Sequence, residues 1–314
     1  MVMNMRKVGI IGVGHVGAHV ALSLAMQGIC DEIQLCDIDE EKIVSEQQDL
    51  LDAVCYLPHR VRVTLGKYEE LADCDIIVSS VGKIDVVTKN RLSELQQSVD
   101  MIRTFVPRLR KAGFQGIYLN ITNPCDIISN QIQKESGLPA ARVIGTGTGL
   151  DTSRLKAVLA RETGFDHKSI TTYMLGEHGD SQMAAWSVTA FGGKPLAQLE
   201  EEEPERFGFD KEVLAEEVRK AGWKTLNGKG ATEFGIASTA ARMISCIFHD
   251  EKQIFPASTY LDGEYGEAGL YASVPVVLGK DGVDEIIKLN LDDKEMGEFQ
   301  KTCSVMKEHI ALIK

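Results

Sequence analysis

Apolar residues in the first half of the chain concentrate in short runs of strand length, at residues 8–11, 33–36, 61–65, 76–81, 117–121 and 143–144. Segments with apolar positions at helical spacing separate them. Uniformly apolar strands alternating with helices predict an α/β fold, a doubly wound parallel sheet covered on both faces. In such a sheet ligands lie beyond the carboxyl ends of the strands, where the strand order reverses. The polar and glycine residues after each run are therefore the ones to inspect: Gly12 to Gly17, Asp37, Ser79 to Gly82, Thr122-Asn123-Pro124 and Gly145-Thr146-Gly147.

After Gly82 a polar stretch, residues 83–91, predicts a surface loop hinged at the glycine, and a helical pattern follows from Leu92 to about Lys111. Beyond Gly145 the texture changes. One helix runs through Leu155, Val158 and Leu159; Glu200 to Pro204 reads as an exposed turn; a second helix spans about 211–226, with a turn at 227–230. Helical spacing resumes at Ile236, Ala240 and Met243. Residues 271–278 and 283–289 read as an antiparallel hairpin, and Met296, Phe299, Cys303, Met306 and Ile310 mark a terminal amphipathic helix. The reading is two apposed domains, 1–145 with the parallel sheet and 146–314 of mixed α+β character. No repeat or low-complexity linker separates them.

Composition narrows the function classes. With 314 residues, 44% hydrophobic and 25% charged, the chain is an ordinary globular protein able to bury a sizeable core. A net charge of −12 argues against nucleic acid or an anionic membrane as partner. The seven cysteines are scattered without a Cys-x-x-Cys pair, which favours free thiols of a reducing compartment over disulfides or a metal site. The first seven residues are too short and polar for a signal peptide, and no apolar stretch approaches membrane length. The expected location is cytoplasmic.

The first strand feeds into Gly12-x-Gly14-x-x-Gly17, and a helical pattern follows until Gly28. Gly12 permits a sharp turn, Gly14 lets backbone approach a pyrophosphate, and Gly17 lets helix and strand pack closely. Asp37 ends the second run, where a carboxylate can bind both hydroxyls of a ribose and would repel a 2′-phosphate. NAD is thus favoured over NADP. A glycine turn alone is common without a ligand; strand, helix and spaced acid together make the dinucleotide reading the stronger one.

Three further features carry candidate chemistry. Asp151 and Arg154 sit at i, i+3 on one helix face, equally consistent with an ion pair or a cap. His178 lies between glycines in Gly176-Glu177-His178-Gly179-Asp180, after an apolar run; a lone histidine is more often structural, but the glycines leave room for a ligand beside the ring. Arg91 at a helix start opposes the helix dipole's preference.

In these motifs the chain resembles the L-lactate/malate dehydrogenase family from end to end, within it the L-lactate and L-2-hydroxyisocaproate dehydrogenases. The matching pieces are the glycine turn with Asp37, Asn123-Pro124, Leu150-Asp151-x-x-Arg154, the His178 segment and Lys229-Gly230-x-Thr232. The resemblance implies a Rossmann domain binding NAD, a small 2-oxo or 2-hydroxy acid as substrate, and a homo-oligomer, usually a tetramer. Carried over by position, it implies that His178 exchanges the proton, Asp151 orients it, Arg154 holds the substrate carboxylate and Arg91 polarises the carbonyl. Asn123 and Thr232 would line the pocket. Val16, Lys42, Tyr68, Gly82, Lys83, Asn123 and Thr146 would join Gly12, Gly14, Gly17 and Asp37 around the cofactor. No metal is implied. The residue types suit the chemistry: an imidazolium can give a proton near neutral pH, a buried carboxylate favours its charged form, and a guanidinium grips a carboxylate through two hydrogen bonds.

Two departures from the family carry information. Three positions after Gly82, malate dehydrogenases carry Arg and lactate dehydrogenases usually Gln, whereas this chain has Asp85. A carboxylate about 4 Å from a substrate's second carboxylate costs on the order of 4 kcal/mol at an effective dielectric of ~20, so malate is disfavoured about a thousandfold. Asp85 turned outward would instead leave Ile84, Val86 and Val87 to favour an apolar side chain larger than methyl, which is the 2-hydroxyisocaproate alternative. Bacterial lactate dehydrogenases activated by fructose 1,6-bisphosphate carry Arg and His where this chain has Lys156 and Thr171, so no activation by that sugar is expected.

Overall fold

The computed structural model describes residues 5–82 and 91–314, with the backbone alone described for 91–94. Strands β1 (Lys7–Ile11), β2 (Glu32–Cys36), β3 (Arg62–Leu65), β4 (Ile76–Ser79), β5 (Ile117–Asn120) and β6 (Val143–Gly145) run parallel in the order β6-β5-β4-β1-β2-β3. The chain builds outward from β1 through β2 and β3, then crosses back to place β4 on the other side of β1. The order therefore reverses between β1 and β4, and the glycine turn lies at that switch point. All of these strands but the edge strand β3 are buried almost throughout, because both faces of the sheet are covered. Helices α1 (His15–Gln27) and α2 (Glu40–Val54) bury Val20, Leu24, Ile43 and Leu50 on one side. Helices α3 (Arg91–Ala112) and α4 (Cys125–Ser136) bury Val99, Phe105, Ile128 and Ile132 on the other.

Helix α5 (Gly149–Thr163) opens the second half. It packs with strands β7 (Ile170–Thr171), β8 (Met174–Leu175), β9 (Met183–Ala184), β10 (Ala190–Phe191) and β11 (Lys194–Pro195), which form two small antiparallel sheets. Helices α6 (Leu196–Glu202), α7 (Pro204–Phe207), α8 (Lys211–Lys229) and α9 (Phe234–His249) follow. Strands β12 (Gln253–Asp262), β13 (Ala268–Gly279) and β14 (Gly282–Ile286) then form an antiparallel ribbon, and α10 (Asp293–Ile310) ends the fold. The ribbon joins the main sheet by antiparallel pairing of β12 to β6, Ser258 opposite Gly145. One nine-stranded sheet thus runs through both halves of the chain.

The expected elements hold, with differences in the second half of the chain. The glutamate run at 200–203 is not a simple turn: Glu200 to Glu202 are helical in α6, held down by Leu196 and Leu199, and Pro204 opens α7 at a position where its missing N–H costs nothing. Helix α8 continues through Asn227 and Gly228 to Lys229 and stops at Gly230, which takes the left-handed conformation at φ 85°. Strand β12 has no counterpart in the sequence reading. Pro256 interrupts its apolar run, and a proline argues against an interior strand; in the fold it pairs opposite Pro275 of β13, so both strands spend their prolines at one rung.

Candidate active site

The glycine turn follows from β1 and α1. Gly12 has φ 89°, and a Cβ there would lie 2.6 Å from the Ser80 carbonyl oxygen in the turn after β4. At Gly17 a Cβ would lie 2.1 Å from the Gly12 oxygen, so helix and strand meet backbone to backbone. A Cβ on Gly14 would meet nothing within 4 Å. That glycine borders open space, and α1 begins there with no side-chain cap on its first amides. These free N–H groups and the helix dipole fit a pyrophosphate. Asp37, at the end of β2, is fixed beside the turn: its Oδ2 accepts the Val13 N–H at 2.6 Å and its Oδ1 accepts the Asp39 N–H at 3.1 Å. The residues present therefore fit a dinucleotide with a free ribose.

The other expected cofactor residues spread along the same edge. Val16 packs half-buried against the core, and Thr146, at the end of β6, is buried with its hydroxyl directed to the Asn120 carbonyl at 3.4 Å. Lys42 in the first turn of α2 reaches Glu46 at 3.9 Å. Tyr68 lies 5.7 Å from the Phe105 ring with the Arg108 guanidinium 4.8 Å over its face. Gly82 is exposed. Asn123 is exposed just after β5, with a cis peptide to Pro124, and Thr232 is half-buried before α9. Lys83, Asp85 and the expected loop lie outside the described residues, as does the Arg91 side chain, whose backbone opens α3.

Three of the expected residues meet directly. Asp151 stands in the first turn of α5 and is 1% exposed. Its Oδ2 lies 2.5 Å from His178 Nδ1, and its Oδ1 accepts from Arg154 Nη1 at 2.8 Å. The i, i+3 spacing is thus an ion pair, and the carboxylate divides its oxygens between imidazole and guanidinium. With Nδ1 so engaged, Nε2 is the ring nitrogen left to exchange a proton. Burial would push the Asp151 pKa up, yet the charges of His178 and Arg154 hold it below the usual carboxylate value. Burial likewise pulls the His178 pKa down, but the charge and hydrogen bond of Asp151, with a contribution from Asp126, lift it above 6.5. The imidazolium is the form this surrounding favours.

The glycines around His178 serve a different purpose from the one expected. Gly176 has φ 90°, and a Cβ there would lie 2.3 Å from Thr302 on α10; on Gly179 it would lie 2.8 Å from the Glu177 carboxyl carbon. They make room for protein groups rather than for a ligand. Two residues of this region are absent from the sequence reading. Gly222 of α8 faces the Arg154 guanidinium, and a Cβ there would come into ordinary van der Waals contact with it, 3.5 Å from Nη1. Asp126, 1% exposed in the first turn of α4, accepts the His178 backbone N–H at 2.7 Å. The available signal was an acid two residues after Asn123-Pro124, at a helix start beside a strand end. Among the described residues no group of histidine, cysteine or acidic side chains could hold a metal ion.

Fold and site define a class. Residues 6–145 match the description "lactate/malate dehydrogenase, NAD binding domain" and residues 148–314 match "lactate/malate dehydrogenase, alpha/beta C-terminal domain", so the chain belongs to the lactate/malate dehydrogenase family. Within it, the chain is similar to L-lactate dehydrogenases. That of Fusobacterium nucleatum is 46% identical over 311 residues, 98% of this chain and 97% of the relative. L-lactate dehydrogenase 3 of Bacillus anthracis is 42% identical over 100% of this chain and 99% of its own length. Among solved structures, the minor L-lactate dehydrogenase of Enterococcus mundtii in its ligand-bound form superposes with a TM-score of 0.94 at 36% identity, covering 98% of each chain.

Proposed function

We propose that the protein is an NAD-dependent L-lactate dehydrogenase that interconverts pyruvate and L-lactate. The single observation that carries this reading is the Asp151 carboxylate shared between His178 and Arg154, beside a glycine turn fitted to a dinucleotide. Gly12, Gly14, Gly17 and Asp37 would hold pyrophosphate and ribose, with Val16, Lys42, Tyr68, Gly82, Lys83, Asn123 and Thr146 around them. When bound, the nicotinamide supplies hydride to C2 of the oxo acid. The chain supplies the rest. Arg154 grips the substrate carboxylate and fixes which face of C2 is presented. His178 gives its Nε2 proton to the carbonyl oxygen, and Asp151 stabilises the imidazolium before that step and orients the ring throughout. In lactate oxidation the neutral ring takes the hydroxyl proton back. Arg91 stabilises charge growing on the carbonyl oxygen, while Asn123 and Thr232 line the pocket.

Asp85 turns the pocket against dicarboxylates, by the Coulomb argument above. The two halves, 1–145 and 146–314, act as cofactor and substrate domains of a cytoplasmic homo-oligomer, a tetramer. Apolar side chains left open along and after α2, Val44, Leu51 and the 91% exposed Tyr56, support a subunit contact there. The absence of any described helix long and apolar enough to cross a membrane is consistent with the location.

The test is NADH oxidation with pyruvate, 2-oxoisocaproate, phenylpyruvate and oxaloacetate, for the wild type and Asp85→Arg. Pyruvate is expected to give the highest kcat/KM and oxaloacetate to lie about a thousandfold lower, rising in Asp85→Arg. Preference for 2-oxoisocaproate or oxaloacetate over pyruvate would overturn the lactate reading, and no gain for oxaloacetate in the variant would remove Asp85 from the specificity argument.

A further inference from the structure

The carboxylate of Asp126 is a buried acid that the mechanism above does not use. It sits in α4, yet both its oxygens serve other elements. Oδ2 accepts the backbone N–H of His178, 52 residues away, at 2.7 Å; Oδ1 accepts the Ser273 hydroxyl of β13 at 3.1 Å. Ser273 Oγ in turn accepts the Thr148 N–H at 3.1 Å, at the entry to the helix that carries Asp151 and Arg154. A single carboxylate thus ties the His178 loop, the antiparallel ribbon and, through Ser273, the start of α5 to the start of α4. An uncompensated charge in such a place is costly, and a neutral side chain could bond the same amide. The charge itself therefore calls for an explanation.

We propose that Asp126 is a positioning residue for His178: its carboxylate fixes the histidine backbone so that the ring meets Asp151, and supplies a second negative charge to the proton-carrying imidazole. The inference rests on the dehydrogenase reading. The ionisable groups around the pair are few. Helix α5 contributes Asp151 and Arg154, the loop after β8 contributes Glu177, α4 contributes the buried Cys125 beside Asp126 and α10 the buried Cys303. Strands β12 and β13 contribute the hydroxyls of Ser258 and Ser273. Of these, Asp151 and then Asp126 are the main groups that raise the proton affinity of the ring, while Arg154 lowers it. Burial lifts Asp126 itself to about 6, short of full compensation by its hydrogen bonds, so it is ionised at neutral pH and takes up its proton just below.

The experiment compares wild type, Asp126→Asn and Asp126→Ala. The amide keeps an acceptor for the His178 N–H and drops the charge; alanine drops both. For Asp126→Asn, the alkaline limb of pyruvate kcat/KM is expected to move down by about one pH unit, and the pH dependence of His178 modification by diethyl pyrocarbonate, read without substrate, moves with it. Asp126→Ala is expected to lose kcat by a further tenfold or so, from the misplaced loop. An alkaline limb and a modification profile unmoved in Asp126→Asn would overturn the proposal. A wild type that fails to turn over pyruvate would instead refute the lactate reading, because the modification profile needs no substrate. Should neither variant fold, the 15N signals of His178 in the wild type, assigned by their loss in His178→Asn, decide the matter: a second inflection near pH 6 supports the proposal, and a single inflection overturns it.

Discussion

His178 acquires its properties from three neighbours that lie 24, 27 and 52 residues away in the chain, Arg154, Asp151 and Asp126. Because its pKa is raised above 6.5, the imidazolium needed for pyruvate reduction survives to higher pH than a free histidine would allow and is lost as pH climbs through that raised value. Pyruvate kcat/KM should therefore fall on the alkaline side, while lactate oxidation, which needs the neutral ring, rises over the same interval; paired pH profiles check the sign. Asp126 makes a stability prediction of the opposite kind. Its folded pKa of about 6 lies above the 3.8 of a free aspartate, so the stability linked to its proton is fully present below about pH 4 and lost as pH rises through 6. At pH 7.5 the buried charge costs about 3 kcal/mol, two units at 1.36 kcal/mol each. Asp126→Asn should thus melt higher than wild type at pH 7.5, with the gain vanishing near pH 4; a lower melting temperature would make the residue a structural brace. Sequence reasoning reached Asp151 and Arg154 because their i, i+3 spacing is local. It missed Asp126 because nothing local reveals that an acid at a helix start will be bonded to the backbone of a loop 52 residues on.

At the scale of elements, the glycine turn separates two kinds of substitution. Gly17→Ala places a methyl group 2.1 Å from the Gly12 oxygen and should destabilise the fold by about 1–3 kcal/mol, seen as a lower urea midpoint. Gly14→Ala meets no protein atom, so folding should be unchanged while NADH binding weakens by about tenfold, the equivalent of ~1.4 kcal/mol. Equal NADH affinity in Gly14→Ala would place the phosphates elsewhere. The parallel strands were legible because most of them are buried on both faces and read as predominantly apolar runs; β3, at the sheet edge, is only partly buried. Strand β12 was hidden by Pro256, and helix α6 by glutamates on its outer side, though Leu196 and Leu199 already stood at helical spacing.

For the whole molecule, the consequence of the β6–β12 junction is that the two halves of the chain share one sheet. The sequence suggested apposed domains without a linker; it could not indicate the pairing, which depends on a strand it did not reveal. Burial pulls the pKa of Lys156 down, and Thr171 is an exposed hydroxyl, a poor combination for a phosphate. Fructose 1,6-bisphosphate should therefore leave the pyruvate KM unchanged in steady-state assays, and a large drop would contradict this. The measurement that bears most directly on the central claim is turnover of pyruvate by His178→Asn, with NADH affinity measured in parallel. NADH binding should be unchanged and kcat lower by about a thousandfold. Turnover within tenfold of the wild type, at equal NADH binding, would contradict it, because the proton would then come from a group other than His178.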